Sequence, residues 1–228
     1  MRKLVLWGHH VDEYKEMFDL NWSDFDKKIL EYGCGPSGIN HELNEATPHV
    51  VSCDPLFNLD KSTLNTKISL IFDHMQNEVQ DAKEYFDFSR YGDLQHLLNK
   101  RKQGIETFLT DYEQGRVENR YVPVKDYHLD FGDFAFDFAL CSHYFFADLD
   151  EQDVDFHVTI IKELARVAKE VRIFPLIDRY GKPSPHLGPV LLALQNDNYG
   201  TEVREVDYNL QQNGNAMLRV WAQKCDVS

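Results

Sequence analysis

Short apolar runs alternate with longer segments of helical character through most of the chain. Two runs, at 29–31 and 49–54, flank a glycine-rich segment and a short polar stretch. Further runs follow at 121–124, 136–143 and 170–176. Continuous apolar runs of this length, separated by helical segments, are typical of parallel strands that are buried on both faces. The pattern therefore predicts a doubly wound α/β fold.

The last part of the chain follows a different pattern. Positions 202–206 and 217–221 alternate between apolar and polar residues, and a polar stretch at 211–215 separates them. A period of two with a turn-forming stretch in the middle predicts an antiparallel hairpin. The mostly parallel sheet is therefore expected to close with two antiparallel strands.

Residues 55–120 carry two apolar stripes with spacings of three and four, which predict two long helices. The second helix is expected to begin after Asp93, a good N-cap residue. We expect these helices to form an insertion or lid within a single domain of residues 1–228; two helices that simply pack on each other are the alternative. The stripes consist of Ile68, Phe72, Met75, Val79, Ala82 and Phe86, and of Leu94, Leu97, Leu98, Ile105, Phe108 and Tyr112.

A shorter helix is predicted at 11–18, where Tyr14, Met17 and Phe18 share one face, and Ser23 is a candidate cap for the segment that follows. This leader is expected either to cover the mouth of a ligand site or to pack on the edge of the sheet. Tyr14 is a candidate pocket residue in the first case.

Composition limits the classes of function. The 228 residues are 43% hydrophobic, which is enough for a packed core, and carry a formal charge of −14. Nucleic-acid binding is disfavoured because phosphate contacts need clustered Lys and Arg. No segment approaches the roughly 20 apolar residues of a membrane span. The four cysteines show no metal-ligand spacing, so we expect no metal site and a reducing, cytoplasmic location.

The chemistry is concentrated between the first two runs. Gly33, Gly35 and Gly38 form a Gly-x-Gly-x-x-Gly turn, and Asp54 ends the second run. This pattern is also the dinucleotide fingerprint, in which the acid binds ribose hydroxyls. Glu31, a carboxylate at the end of the first run, would repel a pyrophosphate and attract a cationic ammonium. The acid thus favours a ligand with an amino-acid tail and an adenosine.

Here the sequence resembles the class I S-adenosylmethionine (SAM)-dependent methyltransferases, whose first motif has the form acid-x-Gly-x-Gly-x-x-Gly. The resemblance implies a seven-stranded Rossmann-like sheet in which the seventh strand inserts antiparallel between the fifth and sixth. It covers nearly the whole chain apart from the 55–120 insertion. The segments Cys-Ser-His at 141–143 and Gly-Lys-Pro-Ser-Pro-His at 181–186 also resemble a bacterial subgroup that has no assigned substrate.

The resemblance implies a role for each matching position. Glu31 would hold the ammonium, the glycine turn the carboxylate side, Asp54 the ribose, and Asp126 with Tyr127 the adenine. His143, at the end of the fourth strand, would face the reacting methyl group as a candidate catalytic residue. The full set of cofactor candidates is Glu31, Gly33, Gly35, Gly38, Asp54, Pro55, Asp126, Tyr127 and Cys141, and the substrate candidates are Tyr14, His143 and Tyr144.

Three functions remain open at this level. The first is methyl transfer from SAM to a small-molecule or protein acceptor, and the second is a SAM-binding module without turnover. The third, an NAD-type oxidoreductase, is disfavoured by Glu31 and the terminal hairpin. Acidic charge favours a small-molecule or protein acceptor over nucleic acid, and of these a small molecule is favoured. The sequence indicates neither the identity of the acceptor nor the oligomeric state.

Overall fold

A computed structural model describes residues 8–44, 49–146, 152–178 and 181–223. In these ranges the chain forms one seven-stranded sheet with helices on both faces. The strands are β1 (Ile29–Tyr32), β2 (Val50–Asp54), β3 (Tyr121–Pro123), β4 (Phe136–Ser142), β5 (Ala168–Phe174), β6 (Tyr199–Glu205) and β7 (Ala216–Ala222). The α-helices are α1 (Val11–Met17), α2 (Ile39–Asn44), α3 (Lys61–Asp81), α4 (Leu94–Val117), α5 (Val154–Val167) and α6 (Leu187–Asn196).

The strand order is β3-β2-β1-β4-β5-β7-β6. Strands β1 to β5 run parallel to one another. Strand β7 pairs antiparallel with both β5 and β6. The prediction of a doubly wound, mostly parallel seven-stranded sheet with an antiparallel C-terminal pair is therefore confirmed.

Two details of the sequence interpretation are wrong. Strand β4 ends at Ser142, because His143 leaves the strand with a φ of 56°. Ser23 does not cap a helix: a 3₁₀ turn at Trp22–Asp26 follows Asn21, whose side chain and that of Asp24 form a reciprocal capping box.

Alternate residues of β1 face opposite layers of the molecule. Leu30 and Tyr32 belong to the core shared with α5 and α6, whereas Ile29 packs with α1 and α4. Successive strand side chains point to opposite faces, so Glu31 lies on the same face as Ile29. The carboxylate therefore faces the leader helix α1.

The predicted pair of long helices is present. Helix α4 begins after Asp93, whose side chain accepts a hydrogen bond from the His96 amide. The stripes pack on each other and on the edge of the sheet through a shared cluster. That cluster consists of Cys34, Phe57, Leu64, Ile68, Ile105, Phe108, Tyr112 and Tyr121. The insertion is thus joined to the glycine turn through Cys34, and its movement as a lid stays a prediction.

Candidate functional site

The glycine turn follows β1 at the carboxyl edge of the sheet. Gly33 and Gly35 have φ values of 64° and 56°, which only glycine adopts without strain. The ring of Tyr144 lies directly against Gly33: a Cβ added to Gly33 would be 2.3 Å from two ring atoms. Tyr144 follows β4, so the turn and the end of β4 meet as predicted.

Asp54 ends β2 next to this turn and is only 5% exposed. One carboxylate oxygen accepts the Gly35 amide at 2.8 Å, and the other accepts the Leu56 amide at 2.8 Å. Pro55 opens the 3₁₀ turn that supplies the second amide. A carboxylate can accept about four hydrogen bonds, so this anchoring is compatible with binding ribose hydroxyls.

Glu31 is fully buried and does not reach solvent. Its carboxylate accepts hydrogen bonds from Ser37 Oγ at 3.1 Å and Ser52 Oγ at 2.5 Å. Burial raises the pKa of Glu31, and these hydroxyls only partly oppose that effect. In this conformation the carboxylate braces the glycine turn, and its contact with an ammonium group stays a prediction.

Tyr14 covers Glu31 from the leader helix. Its hydroxyl is buried without a hydrogen bond of good geometry. Burial, and then the adjacent Glu31 carboxylate, raise the pKa of Tyr14 well above its usual value. A ligand ammonium would have to take the place that the Tyr14 hydroxyl now occupies.

Residues Gly8–His10, which we call the tip segment, close over the glycine turn just before α1. The Gly8 amide donates to the Pro36 carbonyl at 3.1 Å, and the Gly38 amide donates to the His9 carbonyl at 3.1 Å. The Gly38 N–H of the glycine turn is therefore bonded to the tip segment.

His143 is the first residue after β4. Its Nδ1 is 2.7 Å from Ser142 Oγ. The ring stacks on the His9 ring with centroids 5.0 Å apart and meets the Phe174 edge at 5.6 Å. The structure thus fixes this imidazole between the tip segment and the end of β5.

The predicted adenine residues are the most open part of the site. Asp126 is exposed and caps the turn after β3 by accepting the His128 amide at 2.9 Å. Tyr127 is 54% exposed and meets the edge of Phe156. Tyr144 lies near Asp54 and Tyr127, and burial, followed by the Asp54 charge, raises its pKa to about 12.

Cys141 differs from these residues because it is a fully buried member of the main core. Burial also raises the pKa of the neighbouring thiol Cys53 and of the turn residue Cys34. These thiols are therefore protonated packing groups rather than nucleophiles.

Sequence reasoning missed a buried polar network beneath the leader. Arg101 and Glu13, both fully buried, form an ion pair at 2.6 Å. Arg101 also donates to the Tyr208 hydroxyl at 2.9 Å, and the Tyr91 hydroxyl bonds to Glu13 and Tyr208. The available signal was a charged residue at position 101 within the apolar stripe of α4.

The residues fit an adenosine better than they fit the amino-acid end of SAM in this conformation. Asp54 ends β2, Asp126 lies in the turn that follows the neighbouring strand β3, and Tyr127 offers an exposed ring next to Asp126. The space above Gly33 and Glu31, in contrast, is filled by Tyr144 and Tyr14. Acceptance of the whole molecule therefore requires the cover over the turn to move.

Within the described ranges, no cluster of three or more His, Cys, Asp or Glu side chains is arranged to hold a metal ion. Among the same residues, no helix is both long and apolar enough to cross a bilayer.

No family model matches the chain. The chain is 27% identical over 219 residues to the uncharacterized protein MJ0045 of Methanocaldococcus jannaschii, covering 96% of each protein. This relative is archaeal, so the expected membership of a bacterial subgroup stays a prediction.

Several solved structures resemble the chain. A SAM-dependent methyltransferase from Methanosarcina mazei aligns over 95% of this chain and 99% of that one, with a TM-score of 0.46 and 14% identity. One from Aquifex aeolicus aligns over 91% and 90%, with a TM-score of 0.41 and 16% identity. Magnesium protoporphyrin IX methyltransferase from Synechocystis, solved with bound SAM, covers 86% and 70% with a TM-score of 0.40 and 11% identity. Similarity at this level leaves the function to be argued from the residues of the site.

Proposed function

We propose that the protein is a SAM-dependent methyltransferase. The observation that supports this most is the meeting of the glycine turn with Asp54 at the carboxyl edge of a sheet ordered 3-2-1-4-5-7-6. Ligands of open α/β sheets bind at the carboxyl ends of the strands. The antiparallel β7 disfavours a nicotinamide domain, which ends in a parallel strand.

The nucleoside half of the cofactor has the clearest set of partners. Asp54 would accept hydrogen bonds from the ribose hydroxyls. Asp126 would accept from the adenine amino group, and the exposed Tyr127 would pack against the base. Glu31 would hold the ammonium group once the cover over the turn has moved.

Bound SAM supplies a sulfonium that is an intrinsically reactive methyl donor, so the protein mainly has to position the acceptor and exclude water. His143 would orient the acceptor and could take a proton from a hydroxyl. Ser142 and Phe174 fix the direction of that ring. We expect a small-molecule acceptor, because the surface is acidic and the leader side of the site is lined by aromatic rings.

Calorimetric titration with SAM and S-adenosylhomocysteine tests the proposal. We expect the wild-type protein to bind both, and Asp126→Ala to weaken binding on the order of tenfold through the loss of one hydrogen bond to a charged group. Because Asp126 is exposed and loses only its bond to the His128 amide, this substitution should lower the melting temperature by no more than about 4 °C. Asp130→Ala, an exposed acid a few residues further on, is the matched control.

Asp54→Asn should abolish measurable binding of both compounds at the same concentrations. The melting temperature of this variant reports any loss of stability that comes from weaker bonds between residue 54 and the glycine turn. A wild-type protein that binds neither compound at any pH, or an Asp54→Asn protein that binds as well as the wild type, would contradict the proposal. Release of S-adenosylhomocysteine in the presence of small-molecule extracts separates a methyltransferase from a binding module without turnover.

A further inference from the structure

The tip segment covers the glycine turn from the leader side. Gly8 packs so closely on α4 that a Cβ at this position would be 1.9 Å from the Arg101 carbonyl oxygen. With the two backbone bonds to Pro36 and Gly38, this contact closes the turn from the leader side. Residues Gly33 to Ile39 are all buried beneath this segment, Tyr14 and Tyr144 together.

His10 joins the tip segment to two other elements at once. Its Nδ1 lies 2.5 Å from Oε1 of Glu42, in the first turn of α2. Its Nε2 lies 3.1 Å from the carbonyl oxygen of Lys100 in α4. A carbonyl, like an ionised carboxylate, only accepts hydrogen bonds. A neutral imidazole has a single N–H, whereas an imidazolium has two. Both bonds are therefore satisfied together only when the His10 ring is protonated.

The surrounding charges favour the protonated ring. Glu42 faces it from α2, Asp12 and Glu13 from α1, and Lys100 and His96 from α4. The Lys100 ammonium is paired with Asp12 at 2.7 Å, so it does not cancel Glu42. The hydrogen bond to Glu42 is the largest influence and raises the His10 pKa above 6.5, against the opposing effect of burial.

Water reaches the ring without any rearrangement. A cavity of about 790 Å³ lies beside it, open to solvent and lined by polar side chains. Proton exchange at His10 is therefore not limited by burial in the core. Helix α1 itself is held independently, by the buried pair Glu13–Arg101 and by Tyr14, Met17 and Phe18, all fully buried.

We infer that His10 is a pH-sensitive latch, which holds the tip segment over the glycine turn when protonated and releases it when neutral. The closed state is favoured below the unperturbed value of 6.5 and loses this support as pH rises through the raised pKa. Only the tip segment opens, while α1 stays in place. The consequence for cofactor access rests on the proposed function, but the latch itself does not.

Amide hydrogen exchange of the unliganded protein tests the latch directly. The Gly38 amide donates to the His9 carbonyl, so its protection factor reports closure. Between about pH 6 and about pH 8.5, after correction for intrinsic exchange, we expect wild-type protection to fall on the order of tenfold, as for loss of one charge-assisted hydrogen bond. His10→Phe, which keeps the ring but removes both nitrogens, should show low protection at both pH values.

Two further variants make the test specific. Glu42→Gln keeps a hydrogen-bonding group beside the His10 ring but removes the negative charge. The protection factor of the Gly38 amide should therefore be lower than in the wild type mainly at the acidic pH. His96→Ala alters the same cavity at a residue that bonds to Asp93, and should behave as the wild type. Unchanged wild-type protection across this range, or a His10→Phe protein that keeps the wild-type pH dependence, would overturn the inference.

Titration with S-adenosylhomocysteine separates this inference from the proposed function. If the latch and the proposed function both hold, the affinity for S-adenosylhomocysteine rises with pH in the wild type and is independent of pH in His10→Phe. If exchange at Gly38 depends on pH as expected but no binding occurs at either pH, the latch stands and the proposed function falls.

Discussion

Glu31 occupies the position in the chain that the sequence assigned to it, but in an environment that the sequence did not reveal. It was expected to offer a charged surface to an ammonium group. The structure encloses it between two serine hydroxyls and the Tyr14 ring. The pattern of a four-residue strand predicts the face of the sheet on which a side chain lies. The residue that packs against the Glu31 side chain, in contrast, comes from the leader, about 17 positions earlier in the chain.

Replacing Glu31 separates its effects on stability and on binding. Its pKa is raised on folding, so the folded state favours the protonated form and stability falls as pH rises above 4.5. Glu31→Gln mimics the protonated form and should stabilise the unliganded protein at neutral pH. A gain of about 1 kcal/mol would raise the melting temperature by roughly 2–4 °C, while cofactor binding should weaken.

The control is Glu113→Gln, at a largely exposed position on α4. This substitution should change neither the melting temperature nor the affinity for SAM. A Glu31→Gln protein that is less stable at neutral pH would show that Glu31 stabilises the fold as an anion. One that binds SAM as tightly as the wild type would show that Glu31 does not hold the ammonium group.

At the scale of elements, local patterns predicted most of the fold. The 3–4 spacing and the Asp93 cap located α4, and period-two alternation located β6 and β7. The exact ends were less predictable, because β4 stops where His143 adopts a positive φ. The contact of the tip segment with α4 was not predictable, since it joins residues 90 or more positions apart.

Two glycines in helices should respond oppositely to alanine. A Cβ at Gly104 of α4 would be 2.4 Å from the Gly8 carbonyl oxygen, whereas one at Gly188 of α6 has nothing within 4 Å. Gly104→Ala should therefore destabilise the protein by about 1–3 kcal/mol and loosen the tip segment. Gly188→Ala should stabilise it by up to about 1 kcal/mol, because alanine has the higher helix propensity.

Thermal unfolding of both variants, with Gly38 amide exchange for Gly104→Ala, checks this pair. If Gly104→Ala stabilised the protein as Gly188→Ala does, the close packing of the tip segment on α4 would be wrong.

At the scale of the whole molecule, the sequence predicted the edge of the sheet at which a ligand is expected, and gave a covering leader as only one of two alternatives. The carboxyl edge of the sheet gathers Asp54, the glycine turn, Asp126 and His143 as expected. Three separate parts of the chain cover the turn: the tip segment, Tyr14 of α1 and Tyr144 after β4. Such a cover depends on tertiary packing and therefore has no local signature.

The most direct test of this account is an amide-resolved NMR titration with S-adenosylhomocysteine at about pH 8.5, where the tip segment is expected to be open. The account predicts progressive shifts of the Gly33, Gly35 and Gly38 amides at the turn, with Gly132 and Gly188 unchanged as remote references. An absence of shifts at the turn, or shifts confined to residues remote from it, would contradict the assignment of this edge of the sheet as a SAM site.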